Sequence, residues 1–172
     1  MLKTQLLEQD VRSVQHQNIN NISSVDRAYI AGFFDGEGTI GLRTSHSNDR
    51  RTPSYTLRAR ISNTNKDILI WIQLIVGYGH IHCCKQIKDY KPQFEIAWSG
   101  KIASELLLQL YPYIKIKKLQ AEIGIKFAET IGNRSRLSKE TIIIRDCLRE
   151  KMDVANDSKN YMRKRGGLYC GK

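Results

Sequence analysis

Small and apolar positions recur at helical spacing from residue 24 to residue 36, with Ala28, Gly32 and Gly36 four apart on one stripe. Ser23 or Ser24 suits an N-cap and Asp26 an acidic first turn, so the segment predicts a helix over about 24–36. The period then changes to two. Over 39–46, Ile40 and Leu42 fall on one face, and Thr39, Gly41, Arg43 and Ser45 on the other. A polar stretch over 47–53, ending at Pro53, reads as a turn. The next alternation is cleaner: Tyr55, Leu57, Ala59 and Ile61 oppose Thr56, Arg58, Arg60 and Ser62. A helix rich in Ile and Leu, with Trp71, is predicted over 66–76 and is broken by Gly77-Tyr78-Gly79. A second hairpin follows over 80–87 and 93–98, its outer face carrying His82, Cys84 and Gln86 beside Gln93 and Glu95. Helices are predicted over 100–110, stopped by Pro112, then over 116–131 and 138–152, with a turn at 132–136.

Hairpin strands with segregated helices predict an α+β fold with an antiparallel four-stranded sheet. One sheet face packs on helices. The other is polar and carries Arg43, Arg58 and Arg60, which suits a groove; an ordinary solvated face is the competing interpretation. With 172 residues, the chain is long enough for one domain with appendages. We place an N-terminal extension at 1–22, partly helical or disordered, the folded domain at 23–152, and a basic tail at 153–172.

Charge sharpens this picture. Lys and Arg total 28 against 17 acidic residues, a net charge of +11, which points to a polyanionic partner such as nucleic acid. No long apolar run and no strongly basic amphipathic stretch argues for a membrane partner. The four cysteines Cys83, Cys84, Cys147 and Cys170 show no framework spacing, so a reduced intracellular compartment is expected. The run His80-Ile81-His82-Cys83-Cys84 is a poor zinc site, because adjacent cysteines point to opposite faces of a strand and no second half-site follows. The N-terminal leucines meet Glu8 and Asp10 at once, which is unlike a secretory signal.

The chemistry centres on Asp35-Gly36-Glu37-Gly38. A helix C-terminus disfavours acids, so two of them there need a cation, a special geometry or a purpose. A calcium loop is excluded, since its sixth position would be Ile40 and its twelfth His46. The stretch Ala31-Gly32-Phe33-Phe34-Asp35-Gly36-Glu37-Gly38, flanked by Tyr29-Ile30 and Thr39-Ile40, resembles the signature of the LAGLIDADG homing endonucleases. Tyr111-Pro112-Tyr113-Ile114-Lys115-Ile116-Lys117-Lys118 resembles that family's lysine-bearing approach to a late helix.

The resemblance covers about residues 24–131 and implies an αββαββα fold with a curved sheet and extra C-terminal helices. It implies a site-specific endonuclease that makes a metal-dependent double-strand break in double-stranded DNA. The motif occurs once, which in this family implies a homodimer reading a long pseudo-palindromic target. Ala28, Gly32, Phe33, Asp35 and Gly36 are then expected at the dimer interface. By the same resemblance Glu37, where the family more often has aspartate, and the Gly36 carbonyl hold Mg²⁺, with Mn²⁺ or Ca²⁺ able to substitute for binding. Lys117 is expected beside the water pocket, and Asn65 matches a solvent-positioning residue. Base and backbone contacts are expected from Thr39, Gly41, Arg43, Ser45, Thr56, Arg58, Arg60, Ser62, His82, Cys84, Gln86, Gln93 and Glu95. Arg50, Arg51, Arg134 and Arg136 suit phosphates better. The alternatives on the same fold are an RNA-binding intron maturase and a DNA-binding protein without cleavage.

Overall fold

The computed structural model describes residues 22–45, 53–84, 90–131 and 138–156. Within them the elements run α1 (Ser24–Glu37), β1 (Gly38–Ser45), β2 (Ser54–Asn63), α2 (Lys66–Val76), β3 (His80–Cys83), β4 (Phe94–Ser99), α3 (Gly100–Leu110), α4 (Lys118–Glu129) and α5 (Lys139–Asn156). The strands form one antiparallel sheet in the order β1-β2-β4-β3. The expected α+β architecture is what the chain adopts.

Alternation sets the two faces of this sheet. Ile40, Leu42, Leu57, Ala59, Ile61, Ile96 and Trp98 are buried together with Ile30, Phe34, Leu69, Leu106, Leu107 and Phe127 from the helices. Burying each large side chain of this set contributes about 1.5–3 kcal/mol. The opposite face keeps Thr39 and Arg43 exposed and Arg58 and Arg60 partly exposed.

Local grammar explains the joints. Ser23 caps α1, its hydroxyl accepting from the Asp26 N–H at 3.1 Å. Helix α1 passes straight into β1 through Gly38, which is buried and sits so close to Phe34 that a Cβ there would lie 2.5 Å from the Phe34 carbonyl oxygen. Gly77 ends α2 with φ 75°, the left-handed cap that glycine adopts without penalty.

The last helix departs from expectation. It continues to Asn156 rather than stopping at 152, and the Asn156 side chain donates to the Ile40 carbonyl at 2.7 Å. Arg145 is buried and donates to the Thr130 hydroxyl at 2.9 Å and the Thr130 carbonyl at 2.6 Å, while its guanidinium lies over the Tyr55 and Phe127 rings. Tyr55 donates to Asp146 at 2.9 Å, and burial together with that carboxylate pushes its phenol up to about 12. Helix α5 is thus tied to both β1 and β2. At the other end, Ile22 belongs to the core, although it was assigned to the extension.

Candidate active site and polar sheet face

Asp35 and Glu37 part company at the end of α1. Asp35 turns inward and is only 7% exposed. Its Oδ2 accepts from the backbone N–H of Lys115 at 2.7 Å and of Ile116 at 3.2 Å, and its Oδ1 accepts from that of Lys117 at 3.0 Å. These N–H groups belong to the segment that leads into α4. Burial works to raise the Asp35 pKa, but the N–H groups of Lys115, Lys117 and Ile116, with the Lys117 charge, hold it below the usual aspartate range. Asp35, a residue expected on the dimer face, is buried against its own chain, where it accepts from three donors.

Lys117 completes the joint from the other side. Its ammonium donates to the backbone carbonyl of Asp35. Helix α1 carries no basic residue in its last turn, so this lysine supplies the cation that the negative helix end favours. Phe34's carbonyl is taken by the Gly38 N–H. The Gly36 carbonyl remains in the last turn, where helix geometry offers no internal donor. Glu37 is exposed beside it.

The stripe leading to Glu37 is open. Ala28, Gly32 and Gly36 are exposed, and a Cβ on Gly32 or Gly36 would meet nothing within 4 Å. Val25 and Tyr29 on the same helix are 76% and 53% exposed. Phe33 is half-buried and packs against the core. For a hard divalent cation the oxygen donors on offer are the Glu37 carboxylate and the Gly36 carbonyl. Among the described residues no group of three or more His, Cys, Asp or Glu is placed to hold a metal ion. These two oxygens suit a hard cation in kind but are too few to fill its coordination shell.

The polar sheet face is ordered in rows by the strand register. Ser62, Glu95 and His82 stand in one row, then Thr39, Arg60, Ala97 and His80, then Gly41, Arg58 and Ser99, then Arg43 beside Thr56. Gly41, without a side chain, leaves a shallow depression lined by Arg43, Arg58 and Arg60. Ser45 is exposed at the far end of β1. Cys84 lies just past β3, its N–H donating to the Gln93 carbonyl at 2.8 Å. Burial, then the Glu95 charge, pushes its thiol pKa up. Cys83, Cys84 and Cys147 are free thiols.

Asn65, expected to position solvent, is engaged locally. Its side-chain oxygen caps α2, accepting from the N–H of Asp67 at 3.0 Å and of Ile68 at 3.4 Å. Its own N–H donates to Asn63 at 2.8 Å. Asparagine is a preferred N-cap, so this role was open to local reading. Gln86, Arg50, Arg51, Arg134 and Arg136 lie outside the described residues, as do residues 1–21 and 157–172. Sequence reasoning missed the bond from Asp35 to residues 115–117, which spans about 80 positions and leaves no local periodicity. It also missed Arg145, whose charge gave no hint of burial.

Comparison with known proteins identifies the family. The family model for the LAGLIDADG endonuclease matches residues 30–130. The chain belongs to that family. The intron-encoded DNA endonuclease ai2b of Dictyostelium discoideum is 33% identical over 92 residues, which cover 54% of this chain and 32% of that protein. The chain thus spans about a third of the length of that relative. The DNA endonuclease I-CvuI of Chlorella vulgaris is 25% identical over 138 residues, covering 77% of this chain and 80% of that one. The crystal structure of I-CvuI in complex with its target, in the presence of Ca, superposes with a TM-score of 0.65 at 19% identity, covering 84% of this chain and 97% of that chain. The archaeal intron-encoded homing endonuclease I-Vdi141I, complexed with DNA, gives a TM-score of 0.67 at 17% identity, covering 76% and 84%. These superpositions establish a shared fold.

Proposed function

We propose that the chain is a site-specific DNA endonuclease that works as a homodimer and cuts both strands of a long, pseudo-palindromic duplex. The observation that carries this reading is one exposed carboxylate, Glu37, at the end of an open small-residue stripe and beside a polar, arginine-bearing sheet face. Two copies of α1 packed through Ala28, Gly32 and Gly36 would bring two Glu37 side chains together at a two-fold axis. Exposed Val25 and Tyr29 extend that surface and bury apolar area on pairing. Mg²⁺ held by Glu37 and the Gly36 carbonyl would supply Lewis-acid polarisation of the scissile phosphate and a more acidic bound water. The chain's own groups do the rest. Lys117, fixed on the Asp35 carbonyl, sets a positive charge next to the helix end, where a developing phosphate charge is stabilised. The β1–β2 ribbon fits the major groove, with Arg43 and Arg58 free to meet guanine edges or phosphates. A protein acting on host DNA works inside the cell, where its thiols stay reduced.

The test is a cleavage assay with Mg²⁺ on a duplex made by rejoining the host sequences that flank the reading frame. Wild type should yield a discrete double-strand break. Glu37→Gln should bind that duplex with nearly unchanged affinity and lose cleavage on the order of a thousand-fold, the equivalent of several kcal/mol of metal-assisted stabilisation. Full activity in Glu37→Gln would remove the assignment.

A further inference from the structure

Glu95 is an anomaly on a surface suited to phosphates. It stands on β4 among Arg60, His82 and Ser62, and its side chain is 15% exposed where that of Arg60 is 41% exposed. Its Oε2 lies 3.4 Å from Arg60 Nη1 and accepts from Ser62 Oγ at 3.3 Å, and its Oε1 lies 3.6 Å from His82 Nε2. Ser62 and His82 flank Glu95 directly in the register, while Arg60 reaches it on the diagonal from the next row. Arg43 and Arg58, on the same face, make no ion pair with any described residue. A carboxylate set here repels the DNA backbone and weakens binding to any sequence. Its compensation must lie in what it does to its neighbours.

We propose that Glu95 is a positioning residue for base recognition: it holds one corner of the Arg60 guanidinium, so that the remaining N–H groups are presented in a fixed plane to a guanine in each half-site. The inference rests on the endonuclease reading above. A guanidinium is a flat fork of five N–H donors, and guanine O6 and N7 accept two of them side by side. A free arginine on a long stem reaches phosphates as readily as bases. One anchored at a corner has lost much of that freedom before binding, and its charge is partly neutralised towards phosphates. Ser62 and His82 hold the anchor itself. Ala97, paired with Arg60 across β2 and β4, has no polar group to compete for the guanidinium. Arg58 and Arg43 lack such a buttress and serve as backbone contacts or tolerant readers.

The test is selection of bound DNA from a pool of random-sequence duplexes in Ca²⁺ buffer, with the full chain. Wild type should enrich a two-fold motif with one guanine per half-site that Arg60→Ala makes degenerate. Glu95→Gln should lose discrimination at that same position about ten-fold while the other positions keep theirs. It should also bind unselected duplex more tightly, with a salt dependence steeper by about one counterion per subunit. A merely structural role would weaken every position alike. Should Glu95→Gln fail to fold, Glu95→Asp, which keeps the charge and withdraws it by one methylene, must relax the same position. If either folded variant reads the Arg60-dependent guanine as strictly as wild type, the inference is overturned while the endonuclease reading stands. If wild type enriches nothing, both fall together.

Discussion

The two faces of α1 solve different problems with similar residues. The inward face ends in Asp35, which is buried, fully bonded and held ionised by three backbone N–H groups. The outward face ends in Glu37, two positions on, exposed beside glycines whose missing side chains leave open space. One acid is spent on holding the domain's architecture. The other has no partner among the described residues, which is the condition a ligand site needs. Helical geometry sends the two acids of an acid-Gly-acid motif into different surroundings, because residues two apart point about 200° apart.

Substitutions on each face should separate these roles. The largest effect belongs to Gly32→Leu on the open face. It should convert the proposed dimer to monomers and abolish cleavage, yet leave unfolding of the subunit unchanged; sedimentation showing an intact dimer would break the comparison. On the inward face, Asp35→Asn should cost about 3 kcal/mol in urea unfolding, since an amide offers one acceptor and turns its NH₂ towards a backbone donor. The pH dependence gives the sign independently. The Asp35 pKa in the folded state lies below the ordinary value of 3.8, so its stabilisation is fully present above that value and is lost as pH falls through the folded pKa. The gap between wild type and Asp35→Asn should then be constant near neutrality and close in acid. A gap that does not narrow at all as pH falls below 3.8 would show that the carboxylate charge is not the cause. Smallest is Gly38→Ala at the boundary between the faces. Its Cβ would meet the Phe34 carbonyl at 2.5 Å and the Phe34 ring at 2.7 Å, an overpacking cost of about 2 kcal/mol readable as a lower urea midpoint.

Periodicity made the fold legible because the sheet obeys it so strictly. The alternation in Tyr55, Leu57, Ala59 and Ile61 assigned the buried face of β2 residue by residue, and α2 spans the expected Lys66–Val76. The exposed Glu37 and the Lys117 landmark were also readable, through a resemblance rather than through pattern. What stayed hidden was long-range polar pairing. Asp35 with residues 115–117, Arg145 with Thr130 and Asn156 with Ile40 join separate segments by hydrogen bonds that leave no repeat. Asn65 is the reverse case: asparagine ahead of Lys66-Asp67 is an ordinary way to begin a helix, and its side chain caps α2.

The clasp between Lys117 and the end of α1 has a mechanical consequence. It ties the acid-bearing helix and the lysine-bearing turn of the chain into one piece. If two copies rock against each other along the seam, each lysine travels with its own glutamate, and only the gap across the axis changes. Adjusting the fit to a bent duplex would then alter how two finished half-centres meet, without taking either one apart.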